Sequence, residues 1–348
     1  MYKIKYYKAD SNIINHETRI IDAIKALNTL KLKVLLVVND DEKLIGTITD
    51  GDIRRALLKS ENLNLKCSKV MNTKPLYVEE RVPSEIYKLI LKCGFPIPII
   101  DNKSRRVSSL CNIQTIKDKI IPNTIVIMAG GKGERLLPLT KKTAKPMLPI
   151  REKPLIHEIV DNIKSYGFKN IVISVNYLAK QLIDYFGNGS KFDVNIEYLI
   201  EKKPLGTAGS LSLLKTSLDN PVIIINGDVL TNLNLLKLLD FHQSKKALIT
   251  MCVANYSVSI PYGTISAKGF RISKIIEKPT ENYLVNAGIY VVNKSVINKI
   301  KKNSAINMTD LVEKYLKKNQ VNAYPIFEDW TDIGSMNDYL KIRSKGIK

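Results

Sequence analysis

Cysteine is scarce in this 348-residue chain: Cys67, Cys93, Cys111 and Cys252 stand at no paired spacing and beside no histidine cluster. That excludes a disulfide framework and a structural zinc site, and leaves buried free thiols as the reading. No apolar run approaches the ~20 residues that a membrane span needs. The opening residues Met1 to Lys8 lack the apolar core of a signal peptide. A cytoplasmic protein with no membrane partner is therefore expected. Acidic residues are few, 33 against 54 Lys and Arg, for a formal charge of +21. The excess is mostly lysine scattered singly beside Asn and Ile, with no arginine-rich block or basic–aromatic stripe. That pattern speaks against nucleic acid as a partner, while a basic surface still draws in polyanionic substrates.

What the chain does have is concentrated at residues 124–146. Thr124 to Met128 is a short β-branched run, the mark of a buried parallel strand. Gly130, Gly131 and Gly133 follow where the chain leaves the carboxyl end of that strand. Such a loop brings backbone N–H groups close to an anion with no Cβ in the way. Arg135 and Lys145 add a planar cationic fork and a mobile point charge. The combination suits a triphosphate. The two common phosphate loops do not fit: the dinucleotide fingerprint needs glycine where Leu136 stands, and the P-loop needs Ser or Thr where Gly133 follows Lys132.

At 348 residues there is length for two domains, with the boundary expected at the Pro122-Asn123 turn. Behind it helical and strand patterns alternate, which points to a parallel α/β sheet. The most apolar strand, Val222 to Asn226, is expected at its centre. Ligands of such sheets bind beyond the carboxyl ends of the strands. The loops there carry Leu205-Gly206-Thr207-Ala208-Gly209, Asn226-Gly227-Asp228, Glu277-Lys278-Pro279, Asn286-Ala287-Gly288 and Trp330-Thr331-Asp332. Asn176 and Tyr177 are weaker candidates for a base contact, and His157 is expected to pack on its helix. The first third repeats faintly: a helix at 20–30, strands at 34–38 and 44–48, and a capped helix after Thr49. The order recurs as a helix at 83–93, strands at 96–100 and 107–111, and a helix opening at Asn112-Ile113.

Gly130-Gly131-Lys132-Gly133-Glu134-Arg135-Leu136 with Lys145-Pro146, followed in order by those loops, resembles the signature of the sugar-1-phosphate nucleotidyltransferases. The resemblance implies a Rossmann-like (GT-A-like) α/β domain over 122–348 with a mixed, mainly parallel sheet. It implies nucleotide binding by Ala129, Gly130, Gly131, Gly133, Gly206, Thr207 and Ala208. It assigns catalysis to Arg135, Lys145 and Asp228, and one Mg²⁺ to Asp228 and Asp332. Sugar-phosphate binding would fall to Tyr262, Gly263, Glu277, Lys278 and Asn286. The left-handed β-helix tail of some relatives is not expected, since the chain ends shortly after Trp330.

The repeat at 1–121 resembles a tandem CBS (Bateman) pair, an α+β regulatory module. Gly46-Thr47-Ile48-Thr49-Asp50-Gly51-Asp52-Ile53 carries the likeness, which implies an adenine nucleotide at Thr49 and Asp52. The second repeat departs, with Arg106, Ser109 and Asn112 at the matching places. A CBS pair ahead of a nucleotidyltransferase is similar to mannose-1-phosphate guanylyltransferase-like enzymes, and particularly to glucosamine-1-phosphate guanylyltransferases of legionaminic acid synthesis. That favours GTP, with a sugar 1-phosphate as the other substrate and a homo-oligomer as the expected assembly. The same fold with CTP, UTP or dTTP, or a nucleotide-sensing CBS protein without catalysis, are the rival readings; a nicotinamide oxidoreductase lacks its fingerprint.

Overall fold

In the computed structural model the described residues are 3–59, 64–79, 81–93, 95–114, 121–214, 221–317 and 319–345. They fall into two compact units. One lies within Met1–Asp118 together with Val258–Tyr283, the other within Lys119–Ser257 together with Leu284–Lys348.

The second unit is built on a seven-stranded sheet. Its order is Asn195–Ile200, Asn170–Val175, Ile125–Met128, Val222–Asn226, Thr280–Val292, Ile249–Ser259 and Val321–Ile326. Val222–Asn226 is thus the central strand, as its apolar run suggested. The first four strands are mutually parallel, and Thr280–Val292 runs antiparallel to the central one. The sheet is mixed because that long strand returns against the grain.

Side-chain alternation sorts these strands onto two cores. Ile125, Ile127, Ile171, Ile173, Ile223 and Ile225 face one, while Val126, Val172, Val222, Ile224 and Tyr290 face the other. This is the period-two geometry of a strand covered on both sides. The helix Leu155–Ser165 closes the first core by burying Leu155, Ile156, Ile159, Val160 and Ile163, a helical stripe of the 3.6 period. Register then sets the site. Met128 pairs with Asn226, so the glycine loop and the Gly227-Asp228 turn leave the sheet side by side.

The first unit holds two small sheets, Ile13–Asn15 with Val34–Val38 and Leu44–Thr49, and Lys3–Tyr7 with Val107–Gln114 and Ile97–Ile100. Val34, Leu36, Leu44, Ile100 and Leu110 share one core. Asn112-Ile113 does not open a helix: it continues the strand Val107–Gln114. The cause is remote in sequence, since Lys5 pairs with Asn112 and Ile4 with Ile113, a partner strand from the amino terminus. Thr264–Lys268 and Arg271–Ile276 form a two-stranded antiparallel hairpin, exposed along almost all its length.

Candidate active site

Where the strand Ile125–Met128 ends, the chain is tied to both neighbours before it opens into the loop. Ala129 N–H donates to the Ser174 carbonyl and Gly227 N–H to the Met128 carbonyl, each at 2.8 Å. Gly227 allows this approach, because a Cβ there would lie 2.8 Å from the Met128 oxygen. Gly133 is left-handed, φ 67°, and a Cβ on it would press on Thr140 at 2.9 Å and Lys145 at 3.0 Å. Only glycine meets both demands. Past it, buried Leu136 anchors the short turn Glu134–Leu136, which leaves Arg135 at the surface. The guanidinium lies against Gly334, where a Cβ would be 3.4 Å from its nearest nitrogen.

A cavity of about 500 Å³ opens here. It is lined by Ala129, Gly131, Gly133, Arg135, Lys145 and Asp228 among others. Lys145 has its stem buried, and its Nζ pairs with Asp228 Oδ2. Asp228 lies one residue before the strand Val229–Thr231, which pairs antiparallel with Trp330–Asp332 so that Val229 faces Asp332. The Asp228 carbonyl accepts from Ile333 N–H at 3.0 Å. The two expected acids are therefore neighbours. Desolvation by the protein beneath it, and then the Asp228 charge, push the Asp332 carboxyl above its ordinary value; Lys145 and Arg135 pull it back. The side chain still reaches solvent.

Two adjacent carboxylates among cations are a donor set that fits Mg²⁺, a hard cation that takes few protein oxygens and completes its shell with phosphate and water. Asp228 and Asp332 are the residues that would hold it, although among the described residues no cluster of three or more potential ligands is present.

The Leu205–Gly209 segment is fixed from below. Gly206, φ 72°, and Gly209 lie so close to the Ile306 and Ser304 carbonyls that a Cβ would collide at 2.6 and 2.3 Å. Ala208 is buried with its N–H on the Ile306 carbonyl at 2.9 Å, while Thr207 is exposed and its hydroxyl accepts from Met308 N–H at 2.9 Å. Pro204 reaches the cavity wall.

Asn286 donates from Nδ2 to the Tyr290 hydroxyl at 2.6 Å and accepts from Gly288 N–H at 3.0 Å. Tyr262, Gly263, Glu277 and Lys278 belong to the first unit, at the base of the exposed hairpin. Glu277 approaches Gly263, where a Cβ would meet its Oε2 at 2.8 Å, and Lys278 is left-handed at φ 44°. In the same unit, Asp52 Oδ2 accepts from Thr49 N–H at 2.8 Å and from its hydroxyl at 2.7 Å, capping the helix Asp50–Lys59. His157 packs among Tyr185, Phe186 and Phe192.

Tyr177 directs its hydroxyl to the Thr140 and Lys141 carbonyls, and Asn176 donates to the Glu201 carbonyl at 2.8 Å. Glu201, unmarked by any motif, is buried beside Gly130. Its Oε1 accepts from the Ser174 hydroxyl at 2.8 Å and its Oε2 from Leu205 N–H at 2.9 Å. The one signal available was its place four residues ahead of Leu205 at a strand end.

Residues 124–347 match the family described as Nucleotidyl transferase, and residues 9–59 match the CBS domain. Mannose-1-phosphate guanyltransferase of Yarrowia lipolytica is 31% identical over 223 residues, 62% of this chain and 61% of that protein. Mannose-1-phosphate guanylyltransferase of Mycobacterium tuberculosis is 31% identical over 225 residues, 62% of each. The chain thus spans about three fifths of the length of these curated relatives. The solved structure of HddC from Yersinia pseudotuberculosis complexed with GMP-PN superposes with a TM-score of 0.51 at 25% identity. It covers 64% of this chain and 99% of that one.

Proposed function

The chain belongs to the nucleotidyl transferase family, and from that premise we propose that it transfers a nucleoside monophosphate from GTP to a sugar 1-phosphate of the mannose or glucosamine type. The observation that carries this reading is the Lys145–Asp228 pair in the glycine-loop cavity, with Arg135 on its wall and Asp332 on the strand paired beside Asp228. The guanylyltransferase names of the relatives support the choice of GTP.

In this reaction an oxygen of the sugar phosphate attacks the α-phosphorus, the bond to the bridging oxygen breaks, and pyrophosphate leaves with the electron pair. The nucleophile is already an anion, so no side chain must take its proton. The loop amides of Gly131 and Gly133 cradle the triphosphate; Arg135 and Lys145 balance the charge that develops on it. Within the first unit, Lys278, Glu277, Tyr262 and Gly263 are the candidates for the sugar phosphate and its hydroxyls, and within the second Asn286. A Mg²⁺ ion held by Asp228 and Asp332 would supply Lewis-acid charge neutralisation at the phosphates. A product of this kind feeds surface-glycan or nonulosonic acid synthesis, legionaminic acid among them.

The test is pyrophosphate release from GTP, CTP, UTP and dTTP against a panel of sugar 1-phosphates, with and without Mg²⁺. GTP should lead by at least tenfold in kcat/KM. No release from any pair would reject the reading, and an equal rate with dTTP would reject its nucleotide. For the front unit we infer an adenine nucleotide near Thr49 and Asp52, favoured by the CBS match at 9–59. Calorimetry of the full chain with ATP, ADP and AMP decides it, and no heat from any of the three ends the idea.

A further inference from the structure

The loop that carries Lys145 is held from outside. Gln181, in the helix Ala179–Phe186, spends both ends of its amide on the backbone just ahead of that lysine. Its Oε1 accepts from Ala144 N–H and its Nε2 donates to the Lys142 carbonyl, each at 2.8 Å. Ala144 is buried, 1% exposed, so its N–H has no access to water and would be orphaned without that acceptor. The match is specific to a primary amide: a carboxylate offers no donor and an ammonium no acceptor.

Tyr177, four residues earlier, shares its hydroxyl between the Thr140 and Lys141 carbonyls at 3.3 and 3.1 Å. Between the two, Leu178 stands in the left-handed region at φ 51°. A leucine holds that conformation only when its surroundings impose it, and such residues gather at functional sites. Loop residues 140–144 are therefore gripped at four backbone atoms by two side chains from one short stretch. Immediately after the grip comes Lys145, whose Nζ meets Asp228.

We propose that Gln181 is the positioning residue for Lys145: it fixes the loop so that the ammonium lies on Asp228 and, in the reaction proposed above, on the triphosphate. The kinetic part of this inference rests on that reaction, while the grip itself does not. A residue that acts through another should lose its effect when the other is gone, and displacements near 1 Å cost about a hundredfold in rate.

Two measurements on the full chain test it. In hydrogen exchange followed by mass spectrometry, Gln181→Leu should speed exchange across residues 140–147 about tenfold or more while leaving the strand at 170–175 unchanged. Gln181→Asn, too short to span both partners, should do the same and serves if the leucine variant does not fold. Unchanged exchange over 140–147 overturns the proposal whether or not the chain is active. In the pyrophosphate assay, kcat should fall about ten- to hundredfold in Gln181→Leu, with KM for the sugar phosphate within about twofold. Gln181→Glu, which keeps the acceptor for Ala144, should fall between. In a Lys145→Ala background the same substitution should cost less than about twofold. A full-sized second loss there would mean that Gln181 acts elsewhere, and the assignment would be wrong. A wild-type chain silent with every substrate pair rejects the nucleotidyltransferase reading and leaves the exchange result to decide the grip.

Discussion

Lys145 Nζ lies on Asp228 Oδ2, across 83 residues of sequence. The pair is more than a tie between two loops, because Asp332 stands opposite Val229 on the next strand. One ammonium thus faces two acids, and the balance among the three determines what else the cavity mouth accepts. In the reaction proposed above, an incoming triphosphate would bring more negative charge, so the acids would need a cation and Lys145 would turn from Asp228 toward phosphate.

Replacing Lys145 by Met keeps most of the buried stem and removes only the charge. Turnover should fall by about two to three decades, the loss expected for one preorganised donor. Stability should fall by about 1–3 kcal/mol, because Asp228 then keeps no cation partner on that oxygen. Steady-state pyrophosphate release and urea unfolding give the two numbers. A variant as fast as wild type would remove Lys145 from the mechanism.

The acids predict a titration. Desolvation and the Asp228 charge hold the Asp332 carboxyl above its ordinary 3.8. The folded chain therefore binds that proton more tightly than the unfolded one. This contribution to stability is full below 3.8 and is lost as pH rises through the folded value. In a carboxyl-carbon NMR titration Asp332 should titrate above 3.8, move down in Asp228→Asn and move up in Arg135→Ala. An Asp332 that ignores both substitutions would show that the two acids are not electrostatic neighbours in solution.

Two glycines of one loop should behave in opposite ways. Gly131 has open space where a Cβ would go, and its backbone is not left-handed. Gly131→Ala should melt with wild type, yet bind nucleotide at least tenfold more weakly if phosphate occupies that space. Gly133→Ala must place a Cβ against Thr140 and Lys145 at φ 67°, and should lose about 1–2 kcal/mol as well as activity. Equal thermal shifts in the two variants would contradict this division.

How much of this was legible in the residues divides along physical lines. The apolar strands Val34–Val38 and Val222–Asn226 have the bounds their sequence suggests, because both faces are buried and local pattern and tertiary need agree. Asn112-Ile113 misled, since its strand exists only through pairing with residues near the amino terminus. In the cavity, glycines and charged residues announce themselves through type and order. Glu201 and Gln181 do not, because each works through hydrogen bonds to backbone, and any polar residue on a half-buried helix or strand end has the same appearance in sequence.

His242 provides the last prediction. It is buried on the helix Leu235–Lys245, with Nδ1 2.8 Å from the Thr250 hydroxyl and Nε2 3.0 Å from Asn293 Oδ1. The Asn293 amide donates its other end to the Ala247 carbonyl at 3.0 Å, which fixes its oxygen toward the ring. The neutral ring with its proton on Nε2 then satisfies both partners. Burial lowers the ring's proton affinity below the ordinary 6.5, opposed in part by Asn293. The unfolded chain therefore binds the proton first as pH drops. Stability from this histidine is full above 6.5 and is lost as pH falls through 6.5 toward the lower folded value. Urea midpoints from pH 7.5 to 5 should fall more steeply for wild type than for His242→Gln, which cannot take up that proton. Parallel curves would mean that His242 is protonated in the fold without cost, and that the burial described here does not govern it.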